Sequence, residues 1–424
     1  MAKQWVRLDN AAKIYPAAKS RRWSALFRLS ATLDEPVDPD VLVDAIYRLK
    51  KRFPTFYMKL RKGAFWYYME QTEKCPKLRQ DEAFPCAPLV IDKNRGFSFR
   101  VRYYRNRIAV EFFHVLTDGT GGLIFLETLV AEYLSIKHGI IIPREGKVFD
   151  CNDDPNEEEL EDSFLKHTGP VAHNRSEADS YRIRGEYEPD GFINLTTGTM
   201  PVDILLNKAR EKGVSVTAYL TAVMIQAVCS IQDDELPRKR QRPVKISVPV
   251  NLRGLFKSST MRNFASYVNP GIDPRMGEYT LDEILKIVHH CMGSEVTEKQ
   301  MRAKFTANVA SEKNPVLRVM PLFAKNLAMK MVFMSVGDKK TSTIISNLGN
   351  VVLPEEMQRH VTRMEFILGP LSINPVACSA LSYNGTLYFN ITRTIKEPKL
   401  ERAFFTRLVE LGIPVEIESN RRSD

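Results

Sequence analysis

Two-residue alternation of apolar and polar side chains is clearest in FSFRVRYYRNRIAVEFFH, residues 97–114, which predicts a hairpin that turns at Arg105-Asn106 and ends at His114. SALFRLSATL, residues 24–33, alternates in the same way. DPDVLVDAIYRLKKRFP, residues 38–54, reads as a helix: Asp38 is its N-cap, Pro39 takes the first helical position, Leu42, Ala45, Ile46 and Leu49 share one face, and Pro54 ends it. Residues 56–70 give two short strands joined at Lys62-Gly63. The opening QWVRLDNAAKIYPAA shows no single period and is expected to wrap the first domain as an irregular segment, with Trp5, Tyr15 and Trp23 either core residues, as aromatics more often are, or lining a pocket. A strand over Ala109–Phe113, a glycine-rich turn and a mostly apolar helix from about Leu123 follow one another around His114.

The second half repeats strands and helices without a fixed-period repeat. INLTTGTMP predicts a strand, VDILLNKAREKG a helix stopped at Gly213, and VTAYLTAVMIQAVCSI a helix buried in a core. The uncharged run from Val214 to Gln232 contains Ser, Thr and Gln, and does not supply the roughly 20 predominantly apolar residues of a membrane span. VKISVPVNLRG and TSTIISNLGNV read as strands, residues 281–310 as one long helix or two, and ACSALSYNGTLYFNITRT as a hairpin at Asn384-Gly385. EPKLERAFFTRLVELG is the last helix. PVLRVMPLFAKNLAMKMVFMSVG is Met-rich and helical, carries Arg318, Lys325 and Lys330, and suits packing against the second half or contact with a membrane surface.

A chain of 424 residues exceeds one typical core and predicts two or three domains of α/β class. Between Pro143 and Asp190 the periodicity fades into an acidic block and polar residues, which places a linker at 166–190 between domains at 1–165 and 191–424. With 44% apolar and 26% charged residues the composition is that of an ordinary globular protein. A net charge of +10, from 61 basic and 51 acidic side chains, favours anionic partners. Six scattered cysteines form no CxxC pair and point to a reducing compartment; with no apolar leader in MAKQWVRLDNAAK, a cytoplasmic location is expected. His167 and His173 lack a clustered third ligand and read as solvated loop residues, so no metal site is expected.

The chemistry concentrates in HVLTDG, residues 114–119. An imidazole at a strand end suits a general base, and Asp118 four residues on either caps the following helix or fixes the turn, with Gly119, Gly121 and Gly122 serving that turn. His-x-x-x-Asp-Gly resembles the active-site motif of the acyl-CoA-dependent acyltransferase superfamily, which includes chloramphenicol acetyltransferase, condensation domains, wax ester synthases and alcohol acetyltransferases. Many condensation domains carry two adjacent histidines, whereas this chain has Phe113 in the first place, which leans toward the free-standing alcohol acyltransferases. VPVNLRG at 248–254, continued by RNFASY, and SNLG ending the strand at 341–351 resemble segments of wax ester synthases and alcohol acetyltransferases.

The resemblance implies two chloramphenicol acetyltransferase-like lobes meeting in a V, with a channel between them that reaches His114 from both faces. It implies transfer of an acyl group, acetyl above all, from coenzyme A to an alcohol, with His114 as base and acyl-CoA as co-substrate rather than a tightly bound cofactor. It further implies Asp118 and Gly119 as orienting residues, Arg253 as the partner of Asp118, and Ser346 or Asn347 as contacts to an oxyanion or the channel. A condensation-like enzyme fed by an acyl carrier protein, or a non-enzymatic binding module, are the alternatives. Nucleic acid is not an expected partner. GxSxG, GxGxxG and GxxxxGK[ST] are absent, which disfavours a serine nucleophile and a nucleotide loop.

Overall fold

The hairpin at 97–114 forms from strands Phe99–Tyr104 and Arg107–Phe113, with Arg105 in a left-handed conformation (φ 51°) at the turn. The computed structural model describes residues 5–18, 24–82, 84–172, 177–313, 319–336 and 338–421. The hairpin lies in a five-stranded sheet ordered Val361–Leu368, Leu26–Leu33, Arg107–Phe113, Phe99–Tyr104 and Arg79–Gln80. All its pairs are antiparallel except the last. Helices Pro39–Arg52 and Gly119–His138 pack on each other, the second also against the two central strands. Buried phenylalanines fill the space between, with Phe56 stacked on Phe125 at 4.9 Å.

The helix after His114 begins at Gly119, four residues before the apolar pattern suggests. Its first turn holds three glycines, which leave hydrophobic periodicity nothing to register, and the Asp118 side chain caps it by accepting the Thr120 and Gly121 N–H groups. Asp38 and Pro39 start the earlier helix in the same manner as expected from the sequence.

A larger sheet is ordered Ala265–Val268, Val244–Asn251, Thr343–Val351, Val376–Tyr383, Thr386–Arg393, Asn194–Pro201 and Glu416–Ser419, with Gly271–Ile272 also pairing along Val244–Asn251. Thr343–Val351 runs parallel to both its neighbours. Helices Leu281–Glu295 and Lys399–Glu410 flank Val216–Glu235, which is buried through most of its length. Among the described residues no single helix is long and apolar enough to cross a membrane. Val202–Glu211 and Val216–Glu235 pass that test together but meet at 83°.

The N-terminal stretch departs from the irregular wrap expected of it. Trp5–Arg7 is an edge strand of a small sheet, paired with Tyr67–Gln71, which pairs in turn with Met58–Lys62; a 3-10 turn and the helix Ile14–Ala18 follow. Trp23 lies outside the described residues. The 281–310 stretch divides into Leu281–Glu295 and Glu298–Lys313.

Two segments do not follow a division of the chain at 165 and 191. Phe164 packs in the second core with Tyr181 and Ile183, since an aromatic ring at the end of the acidic block finds its cover on Phe264 and Phe305. Strand Val361–Leu368, far into the second half, crosses to the first sheet and covers the edge that Leu26–Leu33 would otherwise expose. The acidic block is also ordered: Glu159 makes a buried two-point ion pair with Arg52.

Candidate active site

Arg107–Phe113 ends against Ala25, whose carbonyl accepts the His114 N–H at 2.9 Å and whose φ of 49° is an unusual left-handed value for alanine. This bond fixes the backbone of His114 at the sheet's end. The ring is stacked on Tyr15 (centroids 4.8 Å, planes 15° apart) and meets the edge of Phe27 at 5.2 Å. It keeps some contact with solvent. Burial pulls the His114 pKa below the usual imidazole value, while Asn263 and Asp118 pull the other way and lose, so the ring is neutral at pH 7.

Asn263 decides which ring nitrogen carries the proton. Its Nδ2 lies 3.0 Å from the His114 carbonyl oxygen and 3.1 Å from Asp9 Oδ2, two acceptors that use both amide protons. The other end, Oδ1, therefore faces His114 Nδ1 at 2.9 Å and accepts a proton from it. With Nδ1–H committed, the lone pair is on Nε2. Asp9, fully buried, also accepts the Ala12 N–H at 2.7 Å, and burial pushes its carboxyl up to about 6 against the pull of Arg262.

Asp118 holds the turn. Arg253 meets it in a two-point ion pair, Nη1 to Oδ2 at 2.8 Å and Nη2 to Oδ1 at 3.0 Å, and the Phe264 N–H donates to Oδ2 at 2.9 Å. Burial alone would raise the Asp118 pKa, but the Arg253 charge and these hydrogen bonds hold it below the ordinary carboxylate value. Arg253 spends its remaining donors on the carbonyls of Thr260 and Arg262 and on Asn251. One guanidinium thus binds the histidine turn to the 260–264 loop, and that loop delivers Asn263.

The glycines of the turn differ in need. A Cβ on Gly121 would sit 2.2 Å from Thr117 Oγ1 and 2.6 Å from the Met261 carbonyl, whereas one on Gly119 would meet only the tip of Leu348 at 2.7 Å. Ser346 lies on strand Thr343–Val351 opposite Ser379. The Asn347 amide donates to Thr217 Oγ1 at 3.1 Å and accepts from the Gly349 N–H at 2.9 Å, the bonding of a turn residue. Leu348, between them and the glycine, brings this strand to the histidine turn.

Asn263, Asp9 and Tyr15 are the residues that sequence reasoning did not assign to the site. RNFASY drew notice as a segment, yet nothing in it says that its asparagine reaches back 149 positions to His114. His167, expected to be solvated, is partly buried and stacked on Phe264 at 5.8 Å; His173 lies outside the described residues. Among the described residues no three His, Cys, Asp or Glu side chains gather as a metal site.

Compared as a sequence, the chain matches no family model and no curated protein. Compared as a structure, it aligns with polyketide synthase associated protein 5 from Mycobacterium tuberculosis at a TM-score of 0.60 and 13% identity, covering 95% of this chain and 97% of that one. The condensation domain of the monacolin K polyketide synthase MokA gives 0.61 at 10% identity, with 96% of each chain covered. TRI101 of F. sporotrichioides, solved with coenzyme A and T-2, gives 0.60 at 13% identity over 94% of this chain and 97% of that one. The chain has the α/β fold of the coenzyme A-dependent acyltransferases and condensation domains.

Proposed function

We propose that the protein is an acyltransferase that moves an acyl group, acetyl in the first instance, from a coenzyme A thioester to an alcohol, with His114 as general base. The observation that carries this reading is the commitment of Nδ1–H to Asn263, which leaves an unprotonated Nε2 on a neutral ring. Nε2 takes the hydroxyl proton as the acceptor oxygen forms its bond to the thioester carbonyl carbon. The tetrahedral oxyanion then collapses, the carbon–sulfur bond breaks, and the imidazolium returns that proton to the departing thiolate. Ser346 and Asn347 are the candidates for the hydrogen bond to the oxyanion. Asp118 and Arg253 position the turn and touch neither substrate, and Gly119 lets the chain enter the helix beside Leu348.

The fold is shared with TRI101, whose structure holds coenzyme A, and with condensation domains, one of them a starter domain solved with C8-CoA. In this reading the donor reaches the imidazole from one face of a cleft between two lobes and the acceptor from the other. The deciding experiment is thiol release from acetyl-CoA and longer acyl-CoAs with a panel of alcohols. His114→Ala should lower the rate by about 100- to 10,000-fold, the usual worth of a general base. Equal rates for native and substituted protein with every donor would end the proposal. Release only from an acyl carrier thioester would replace coenzyme A by a carrier as the donor.

A further inference from the structure

We propose that the helix Leu322–Val336 and the small sheet beneath it form a docking face for an anionic membrane surface. The helix presents Phe323, Leu327 and Met331, spaced four apart on one side and 74%, 61% and 56% exposed. Val319 just before it is 73% exposed, and the neighbouring Trp5 and Phe65 are also exposed. Large apolar side chains that share a helix face in a globular protein ordinarily turn inward.

The face is built as one unit. The Leu322 N–H donates to the Ala64 carbonyl, Lys325 Nζ to the Phe65 carbonyl at 2.9 Å, and the Asn326 amide to the Tyr67 hydroxyl at 3.0 Å. Lys325 Nζ also lies 3.2 Å from the centre of the Trp66 ring. Beside the helix, Trp5, Arg7, Phe65, Trp66, Tyr67, Tyr68 and Glu70 line an open aromatic cup of about 470 Å³. Around it Arg7, Lys62 and Lys330 are exposed and Lys13 is half-buried, while the acidic Glu70 is already paired with Arg61. Aromatic and aliphatic groups projecting from one helix face, framed by cations on a chain of net charge +10, complement an interface of acyl chains and anionic headgroups. An acidic protein partner would be met by the cations but would leave three protruding apolar side chains to find pockets of their own.

The helix packs on Ile14–Ala18, whose Tyr15 is stacked on His114. If the transferase reading holds, a docked bilayer would therefore lie beside the imidazole's aromatic wall, and the acceptor class would be amphiphilic alcohols held at that surface. The docking itself does not depend on turnover.

The full chain should co-sediment with phosphatidylcholine vesicles containing phosphatidylglycerol, far less with phosphatidylcholine alone, and less again as salt is raised. Combined Phe323→Ser, Leu327→Ser and Met331→Ser should weaken this at least about tenfold, from the apolar area no longer buried. Lys62→Glu with Lys330→Glu, which leaves the apolar stripe intact, should abolish the preference for anionic lipid. Thiol release with a water-dissolved alcohol should stay unchanged in both variants, which keeps a failure of docking distinct from a failure of the transferase reading. Native protein that remains in the supernatant with both vesicle types, or binding that the substitutions leave intact, overturns the proposal. So does a native dimer in size exclusion that the serine variant abolishes without any vesicle binding.

Discussion

At the residue scale, the reactivity assigned to His114 depends on groups that never meet a substrate. Asn263 is fixed by the His114 carbonyl and Asp9, so it can only accept from Nδ1, and the tautomer follows. Asn263→Ala should lower kcat by about 100-fold with little change in KM, as expected when a reacting atom is misplaced by an ångström without loss of binding. Steady-state kinetics on the two proteins checks this. Because the His114 pKa is lowered, the base is lost as pH falls, and the acid limb of kcat/KM should have its midpoint below 6.5, with a plateau through pH 7. Asp9 carries the opposite sign. Its folded pKa, raised from 3.8 to about 6, makes its contribution favourable below pH 3.8 and lost as pH rises through 6. The stability of Asp9→Asn relative to the native protein should accordingly improve by about 2 kcal/mol between pH 4 and pH 8, measured by urea unfolding at each pH.

At the element scale, the turn between the histidine strand and its helix discriminates between two glycines that look alike in sequence. Gly121→Ala drives a methyl group into Thr117 and the Met261 carbonyl, both tied to the loop that brings Asn263, and should cost about 2 kcal/mol and most of the activity. Gly119→Ala meets a leucine tip that can swing aside and should keep activity within a few-fold. Melting temperature and thiol release on both variants test the contrast. The same turn shows what the letters could and could not reveal. His114 at a strand end, the helix behind it and the Asp38 cap were readable because alternation and capping are local rules. The partnership of Asp118 with Arg253 was reached through resemblance, and the structure places the two in a two-point ion pair. Asn263 and Asp9 were not readable, because a bond between positions 263, 114 and 9 leaves no trace in periodicity. The first strand was missed for a related reason: Trp5–Arg7 is three residues long and owes its shape to Tyr67–Gln71.

At the scale of the whole molecule, one strand from the second half of the chain completes the sheet of the first. Val361–Leu368 completes the first sheet through its backbone, while the second sheet holds it by side chains: Ser379 Oγ donates to the Phe366 carbonyl at 2.7 Å, Asn390 Nδ2 to the same oxygen at 3.1 Å, and Thr392 Oγ1 to the Leu368 carbonyl at 2.8 Å. All three donors are buried, so each lost bond leaves an unpaired polar group and costs about 1–3 kcal/mol. Through Phe27, whose ring meets both Phe366 and His114, this junction adjoins the histidine, and it sets how the first sheet, which carries His114, stands against the second, which carries Asn251 and Ser346. The tryptophans make the coupling measurable, since Trp5, Trp23 and Trp66 all fall in the first part of the chain, whereas far-ultraviolet circular dichroism reports on every helix and sheet. The native protein should unfold in urea with coincident fluorescence and dichroism transitions, as a single cooperative unit does. Ser379→Ala combined with Asn390→Leu should separate the two curves, because the first core would then open without the second. Coincidence that survives the double substitution would mean that the crossing strand does not couple the halves, and that other contacts hold them together.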